Sequence, residues 1–380
     1  MKRTIFEPEH EQFRQTARTF FEKECVPHVD EWEKAGRTSR EVWLKAGEQG
    51  LLGWEVPEEF GGAGIRDFRF NAILNEEYWL TGAAGVGFAV QNDILAPYFV
   101  DLTTEEQKRR WLPGFVSGEL ITAIAMSEPG AGSDVRGIRT TAQRDGDHYV
   151  INGSKTFISN GLLCDLVMVA CKTDPAAGHK GISLIVVEAG TPGFTKGRKL
   201  DKIGQHSADT AELHFDNVRV PVENLIGEEN KGFYQLMRNL PKERLGIAVH
   251  AVASSQRAFD LTLAYARERD AFGQPIGTFQ VNRHFLAEMQ TKLEVMWTYL
   301  DQCIAAANVG ELTPQEAAGA KWWTTETQWE ILDRCLQLHG GYGYMNEYEI
   351  ARMWRDARVQ RVYGGTTEIM KDLIGRSMGL

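Results

Sequence analysis

LVMVACKT (166–173), GISLIVVEA (181–189) and TAELHFDNVRVP (210–221) are three runs rich in residues that suit strands, with turn-forming clusters between them. No helical pattern separates one run from the next. A doubly wound parallel sheet needs such helices, so strand following strand predicts a compact β-domain and not a Rossmann sheet. Outward from these runs the texture changes on both sides. Residues 1–120 carry helical punctuation, 121–228 carry the strands, and long helical patterns return over 229–380. The chain reads as α+β and mostly α, in three successive domains with those boundaries.

Local signals fill in the helical parts. Phe13, Ala17, Phe20 and Phe21 recur at helix spacing behind Pro8, a residue tolerated in a first turn. Thr38 with Glu41, and Thr103 with Glu106, have the form of capping boxes, and Thr313-Pro314-Gln315-Glu316 gives a helix start. GGAG at 61–64 lacks a preceding strand and the full dinucleotide fingerprint, so it reads as an interhelical loop.

The 380 residues are enough to bury a substantial core in two or three domains. A net charge of −10 argues against a nucleic-acid partner, because a phosphate backbone is met with clustered Lys and Arg. No apolar run approaches the ~18–20 residues that span a bilayer. The five cysteines are scattered without a C-x-x-C pair, which fits free thiols in a reducing compartment. The N-terminal stretch goes straight into an acidic helical pattern, without the features of a secretory or transit segment. These features predict a cytoplasmic protein. Nine histidines without ligand spacing give no case for a metal. Neither Ser127 nor Ser133 sits in a nucleophile elbow, and nothing places the Asn152-Gly153-Ser154 sequon in a secretory path.

AMSEPGAGSDV (125–135) carries most of the chemistry. Gly130, Ala131 and Gly132 leave bare backbone that a planar or phosphorylated ligand can approach. The whole string resembles the signature of the acyl-CoA dehydrogenases, flavoenzymes that desaturate acyl thioesters. YVINGSKTFISNG (149–161) resembles that family's flavin-contacting strand and turn. YARERDAFGQPIGTFQ (265–280) resembles the stretch that reaches a neighbouring subunit's FAD, and 337–376 resembles the C-terminal signature. Four blocks in the family's order run nearly end to end. The resemblance implies the acyl-CoA dehydrogenase fold: an N-terminal helical domain, a β-barrel-like middle domain and a C-terminal four-helix bundle. It further implies FAD, an acyl-CoA substrate, electron-transfer flavoprotein as acceptor and a homotetramer.

Desaturation needs a base for the proton beside the thioester carbonyl and donors for the developing enolate. One such donor is commonly worth about 3–4 kcal/mol, and a positioned base roughly 10²–10⁴-fold in rate. Most family members place a glutamate after the tyrosine of the C-terminal signature. Here Tyr363 is followed by Gly364 and Gly365. A minority branch, including long-chain and isovaleryl types, supplies the base from another helix, and LPKERLGIA (240–248) resembles that site with Glu243 at the required position. VYGGTTEIM (362–370) matches the long-chain type, which also carries glycine at the vacated position. The plain alternative for Glu243 is a solvated helix residue paired with Lys242 or Arg244. A working base would be buried, with its pKa raised by desolvation.

Other roles follow from the resemblance, motif by motif. Ser127, with the backbone of Ile124 and Met126, resembles the segment on the flavin pyrimidine edge. Phe157 and Ser159 resemble the pair that meets the ring system, with Phe157 where several relatives have tryptophan. Arg269, Phe272 and Gln280 resemble contacts to FAD across a subunit interface. Gln337, Leu338, His339, Gly340 and Gly341 resemble the loop beside the adenosine portion, and Thr366, Thr367 and Glu368 a further cofactor segment. Ser133, Tyr234, Arg244, Tyr363 and the 364–365 backbone resemble the substrate arm. The Gly364 amide is the implied carbonyl donor, together with a ribityl hydroxyl of FAD. His339 reads by itself as a hydrogen-bonded structural residue. Two rival readings stand beside the dehydrogenase: an acyl-CoA oxidase, and a catalytically silent acyl-CoA-binding partner in a mixed tetramer, which the glycine at 364 motivates.

Overall fold

The computed structural model describes residues 2–380. Its N-terminal part holds six α-helices: α1 (Pro8–Phe20), α2 (Val29–Ala35), α3 (Glu41–Glu48), α4 (Phe68–Leu80), α5 (Ala96–Asp101) and α6 (Glu105–Ser117). Pro8 opens α1 as expected, and the helix runs on into a π-helical turn at Phe21–Cys25. A second π-helical segment, Val90–Leu95, leads into α5. Gly61–Gly64 lies in the loop before α4, with Gly61 and Gly64 both at positive φ.

Two capping expectations need correction. Helix α3 starts from Arg40 with no side-chain cap, and Thr38 is buried three residues from the first helical turn. Helix α6 is capped by Thr104 and Gln107, one residue later than read. The Thr103 hydroxyl donates instead to the Phe99 carbonyl, and so closes α5. In a Thr103-Thr104-Glu105-Glu106-Gln107 string both registers satisfy the pattern, and the chain's exit from α5 selects the second. The box at Thr313 and Glu316 forms as expected.

Eight strands follow: β1 (Thr122–Ala125), β2 (Thr141–Asp145), β3 (His148–Ser159), β4 (Leu166–Lys172), β5 (Ile182–Glu188), β6 (Phe194–Lys199), β7 (Thr210–Pro221) and β8 (Leu225–Ile226). They form one sheet in the order β6-β7-β3-β2-β4-β5-β8, with β1 parallel to β4. Side chains alternate faces along a strand, and β4 uses both. Val167, Val169 and Cys171 join a core with Phe194 and Leu213, from the far end of the sheet, so the sheet curls over itself. Leu166, Met168 and Ala170 point the other way. They pack with Tyr98, Phe99, Trp111 and Phe115, which welds the sheet to α5 and α6.

The rest is helical. Helix α7 (Gly232–Glu268) carries Pro241 in its interior. A short hairpin of β9 (Asp270–Ala271) and β10 (Gln274–Pro275) precedes α8 (Gln280–Asn308), α9 (Pro314–Leu338), α10 (Glu349–Ala357) and α11 (Thr367–Ser377). Leu245, Val249 and Val252 of α7 meet Met289, Leu293 and Met296 of α8 and Ile331 and Leu332 of α9 in one core, which also takes in Phe68 and Ala72 of α4. Near the start of α7, Glu243 turns toward Tyr98 of α5.

Candidate active site

Glu243 is 9% exposed, and its Oε1 accepts from the Tyr98 hydroxyl at 3.4 Å. Its two basic neighbours are engaged elsewhere. Lys242 donates to Glu55 at 2.5 Å, and Arg244 Nε donates to the Gly364 carbonyl at 3.1 Å. The plain alternative of a solvated ion pair is thereby excluded. Burial pushes the carboxyl up to about 7, against the pull of Tyr98 and Arg244 and with a push from Asp93. Asp93 is itself buried, its oxygens held by Asn71 (2.8 Å) and Asn75 (2.6 Å), and burial raises it to about 6. It lies against α7 at Gly246, where an added Cβ would stand 2.9 Å from Asp93 Oδ2.

Gly364 and Gly365 have φ of +67° and +99°, a region that L side chains rarely adopt. A Cβ at Gly364 would overlap Ile247 Cδ1. Ile247 follows Glu243 by four residues, so both project from the same side of α7. Isoleucine thus occupies the space that a side chain at 364 would need, one turn from the carboxylate. Two cations clamp the loop: Arg244 on the Gly364 carbonyl, and fully buried Lys321 on the Gly365 carbonyl at 2.7 Å. Planar peptides carry that constraint to the amides of the two residues after 364. Burial, with repulsion from Arg244, lowers Lys321 to about 8.

The segments expected to meet FAD lie in several parts of the fold, and Arg269 and Phe272 stand at the end of α7 far from Glu243, about 40 Å along the helix. Ile124 and Met126 are half-buried at the end of β1, and the Ser127 carbonyl accepts from Thr156 N at 3.0 Å. That bond sets the 124–127 segment beside Phe157 and Ser159. Phe157 holds φ +61° and is 70% exposed. Phe272, on the β9–β10 hairpin, is 96% exposed at φ +54°. Arg269 ends α7 with its guanidinium 5.5 Å from the Tyr342 ring centre, and Gln280 opens α8. Gln337 and Leu338 end α9, and Gly340 and Gly341 have open space where a Cβ would be. His339 is buried, bonded through Nδ1 to the Cys335 carbonyl at 2.9 Å and stacked on Tyr265, the structural role read from the sequence. Thr366 caps α11, Thr367 donates to Glu326 at 2.6 Å, and Glu368 is exposed in the first turn. Ser133 and Tyr234 are exposed, and Tyr363 is half-buried beside the glycine pair.

These residues fit a large planar cofactor. Phe157 presents a flat apolar face to solvent from a backbone conformation that costs energy, and Gly340 and Gly341 leave bare backbone after α9. Reading the sequence alone missed Tyr98, Ile247 and Lys321. Tyr98 stands in an apolar run and reads as core. Lys321 left a trace, a lysine inside the small, apolar AAGAKWW (317–323).

Family models describe the whole chain in three parts. The acyl-CoA dehydrogenase N-terminal domain matches residues 7–119, the middle domain 123–218 and the C-terminal domain 230–379. The mitochondrial long-chain specific acyl-CoA dehydrogenase of Sus scrofa is 49% identical over 378 residues, 99% of this chain and 88% of the relative. A crystal structure of an acyl-CoA dehydrogenase from Geobacillus kaustophilus is 50% identical with a TM-score of 0.97, covering 99% of both chains. A glutaryl-CoA dehydrogenase from Mycobacterium smegmatis, solved in complex with FADH2, is 27% identical with a TM-score of 0.91, over 98% of this chain and 95% of that one.

Proposed function

The chain belongs to the acyl-CoA dehydrogenase family, and from that premise we propose that it oxidises a long-chain acyl-CoA to the trans-2-enoyl-CoA with Glu243 as base. The observation that carries this reading is a buried carboxylate raised to about 7, beside a position 364 whose side-chain space Ile247 fills. A base near neutrality is ionised in part at working pH and still holds a proton once it has taken one.

When bound, FAD supplies the two-electron acceptor for the hydrogen that leaves the β-carbon. The residues that would hold it are Ile124, Met126, Ser127, Phe157 and Ser159 in one subunit, with Thr366, Thr367 and Glu368. The adenosine end would rest on 337–341, and Arg269, Phe272 and Gln280 would reach across to it. The 96% exposure of Phe272 supports a neighbouring subunit as its cover, in keeping with the homotetramer that the family resemblance implies. Glu243 takes the α-proton, and Tyr98 steadies the carboxylate that does so. The Gly364 amide is the carbonyl donor, and Arg244 and Lys321 fix the loop that presents it. Ser133, Tyr234, Arg244 and Tyr363 border the acyl-CoA arm.

Electron-transfer flavoprotein is the acceptor in this reading. Among the described residues no helix is long and apolar enough to cross a membrane. A cytoplasmic site is supported by five free, buried cysteines, while the Sus scrofa relative is named as mitochondrial. In this reading the domains run 1–120, 121–228 and 229–380.

The test is anaerobic mixing of the purified yellow protein with a ladder of acyl-CoAs. Long straight chains should bleach the flavin fastest. Glu243→Gln should keep its flavin and lose bleaching by about 10²–10⁴-fold. Near-normal reduction in that variant rules out the base, and stoichiometric peroxide at full speed without an acceptor protein makes the enzyme an oxidase.

A further inference from the structure

Lys155 is a fully buried cation in the middle of β3, two residues before Phe157. Its ammonium reaches three acceptors: the Met126 carbonyl at 3.0 Å, Glu128 Oε1 at 2.9 Å and the Ala170 carbonyl of β4 at 2.7 Å. The Glu128 carboxylate accepts two more donors, the amides of Arg139 (2.6 Å) and Thr140 (2.9 Å), at the entry to β2. Beside them, Thr156 N donates to the Ser127 carbonyl at 3.0 Å. Glu128 also exchanges backbone bonds with Ala131, at 2.8 and 3.1 Å, which closes the turn through Gly130. Residues 126, 127 and 128 are therefore gripped in order by residues 155 and 156.

A sheet of this length holds together through its ladder and its apolar core without a buried ion. Burying a lysine and a glutamate carries a desolvation cost that well-packed apolar side chains avoid. The location of the pair accounts for its presence. One partner grows from the segment that ends in Met126 and Ser127, the other from the strand that ends in Phe157 and Ser159. This pair and its neighbouring backbone bond join the polar edge to the flat face at residues 126–128, while Asn160 Nδ2 ties the two segments together farther back, at the Thr122 carbonyl (3.0 Å).

We propose that Lys155 and Glu128 are positioning residues that fix the spacing between the 126–128 turn and the Phe157 face, and so set how tightly and in what orientation the isoalloxazine is held. This rests on the FAD reading above. Both side chains are buried and spent on protein partners. They act through Met126, Ser127 and Phe157, as a supporting shell acts on the groups that make contact.

The experiment titrates apoprotein with FAD, following flavin fluorescence, and records the visible spectrum of the bound flavin. The double variant Glu128→Gln/Lys155→Met removes both charges together, so that no lone ion stays buried. Its dissociation constant for FAD should rise roughly tenfold or more, the cost typical of losing a supporting residue, with a shifted bound-flavin spectrum. Glu128→Asp keeps the charge and draws it back by one carbon, and should show the same changes more weakly. Lys155→Arg in the wild-type background should retain more affinity than the double variant. FAD affinity within twofold of wild type and an unchanged spectrum, in either the folded double variant or Glu128→Asp, overturns the proposal alone. Wild-type apoprotein that binds no FAD overturns the cofactor reading with it.

Discussion

Glu128 and Glu243 are the same side chain at nearly the same burial, 7% and 9% exposed, and their carboxyls are driven in opposite directions. Burial pushes both up. At Glu128 the Lys155 ammonium and the Thr140 donors outweigh it, and the carboxyl falls below the usual range. At Glu243 the donor within reach is one hydroxyl at 3.4 Å, burial prevails, and the group rises to about 7. The number and charge of partners, together with the denser surroundings of Glu243, separate a carboxylate held ionised from one able to accept a proton near neutrality. The two lie in different parts of the fold, Glu128 beside β3 and Glu243 on α7, and in the proposed reading one holds still while the other reacts.

Removing the carboxylate charge at each site should therefore give opposite stability changes. Glu128→Gln leaves the Lys155 ammonium buried without its counter-ion, and should cost about 3 kcal/mol or more, read from chemical denaturation. A change below about 1 kcal/mol, or a gain, would erase the distinction.

Glu243→Gln should stabilise, and only on one side of neutrality. The folded-state value near 7 lies above the ordinary 4.5, so the folded protein binds this proton more tightly than the unfolded chain. Below about pH 4.5 both states are protonated and the group costs nothing. Between 4.5 and 7 the wild type progressively loses stability, and above 7 the loss levels off at roughly 3 kcal/mol. The glutamine variant has no such loss. Its advantage in Tm should be present at pH 8 and vanish near pH 4.5, and an advantage independent of pH would assign it to something other than ionisation.

How far these features were legible in the sequence depends on whether they are local. The strand-favouring residues of LVMVACKT gave β4, and Thr313 to Glu316 gave its capping box, because both patterns are complete within a few residues. Thr103 and Thr104 defeated the same reasoning, since two registers fit and the preceding helix decides. Glu243 and the glycine pair were found as motifs. What joins them in one candidate site, the Tyr98 hydroxyl on Glu243 and the packing of Ile247 against Gly364, comes from tertiary contacts that no spacing encodes. Lys155 and Glu128 both stand in family-like stretches, but their pairing spans 27 residues and a strand junction, which neither stretch encodes.

The smallest effects test how Glu243 is tuned. Two neighbours push its carboxyl in opposite directions: the Tyr98 hydroxyl favours the ionised form, and the Asp93 carboxylate disfavours it. The acid limb of kcat/KM reports the free enzyme's base and should fall near pH 7. Tyr98→Phe removes the donor and should move that limb upward. A single long hydrogen bond is worth about 1 kcal/mol, so activity at pH 6 should drop by about fivefold, with little change at pH 9. Asp93→Asn keeps the shape and removes the like charge, so the limb should move down and activity at pH 6 should rise. The facing groups are few: Tyr98 from α5, Arg244 from α7 itself, Asp93 from the π-helical segment, and, around Asp93, Lys242 and Glu55. Lys242 and Glu55 already neutralise each other in their ion pair, so they leave the sign of either shift unchanged. If both variants moved the limb the same way, the base would be set by the cavity's general dryness and not by these two partners, and the contrast with Glu128 would reduce to burial alone.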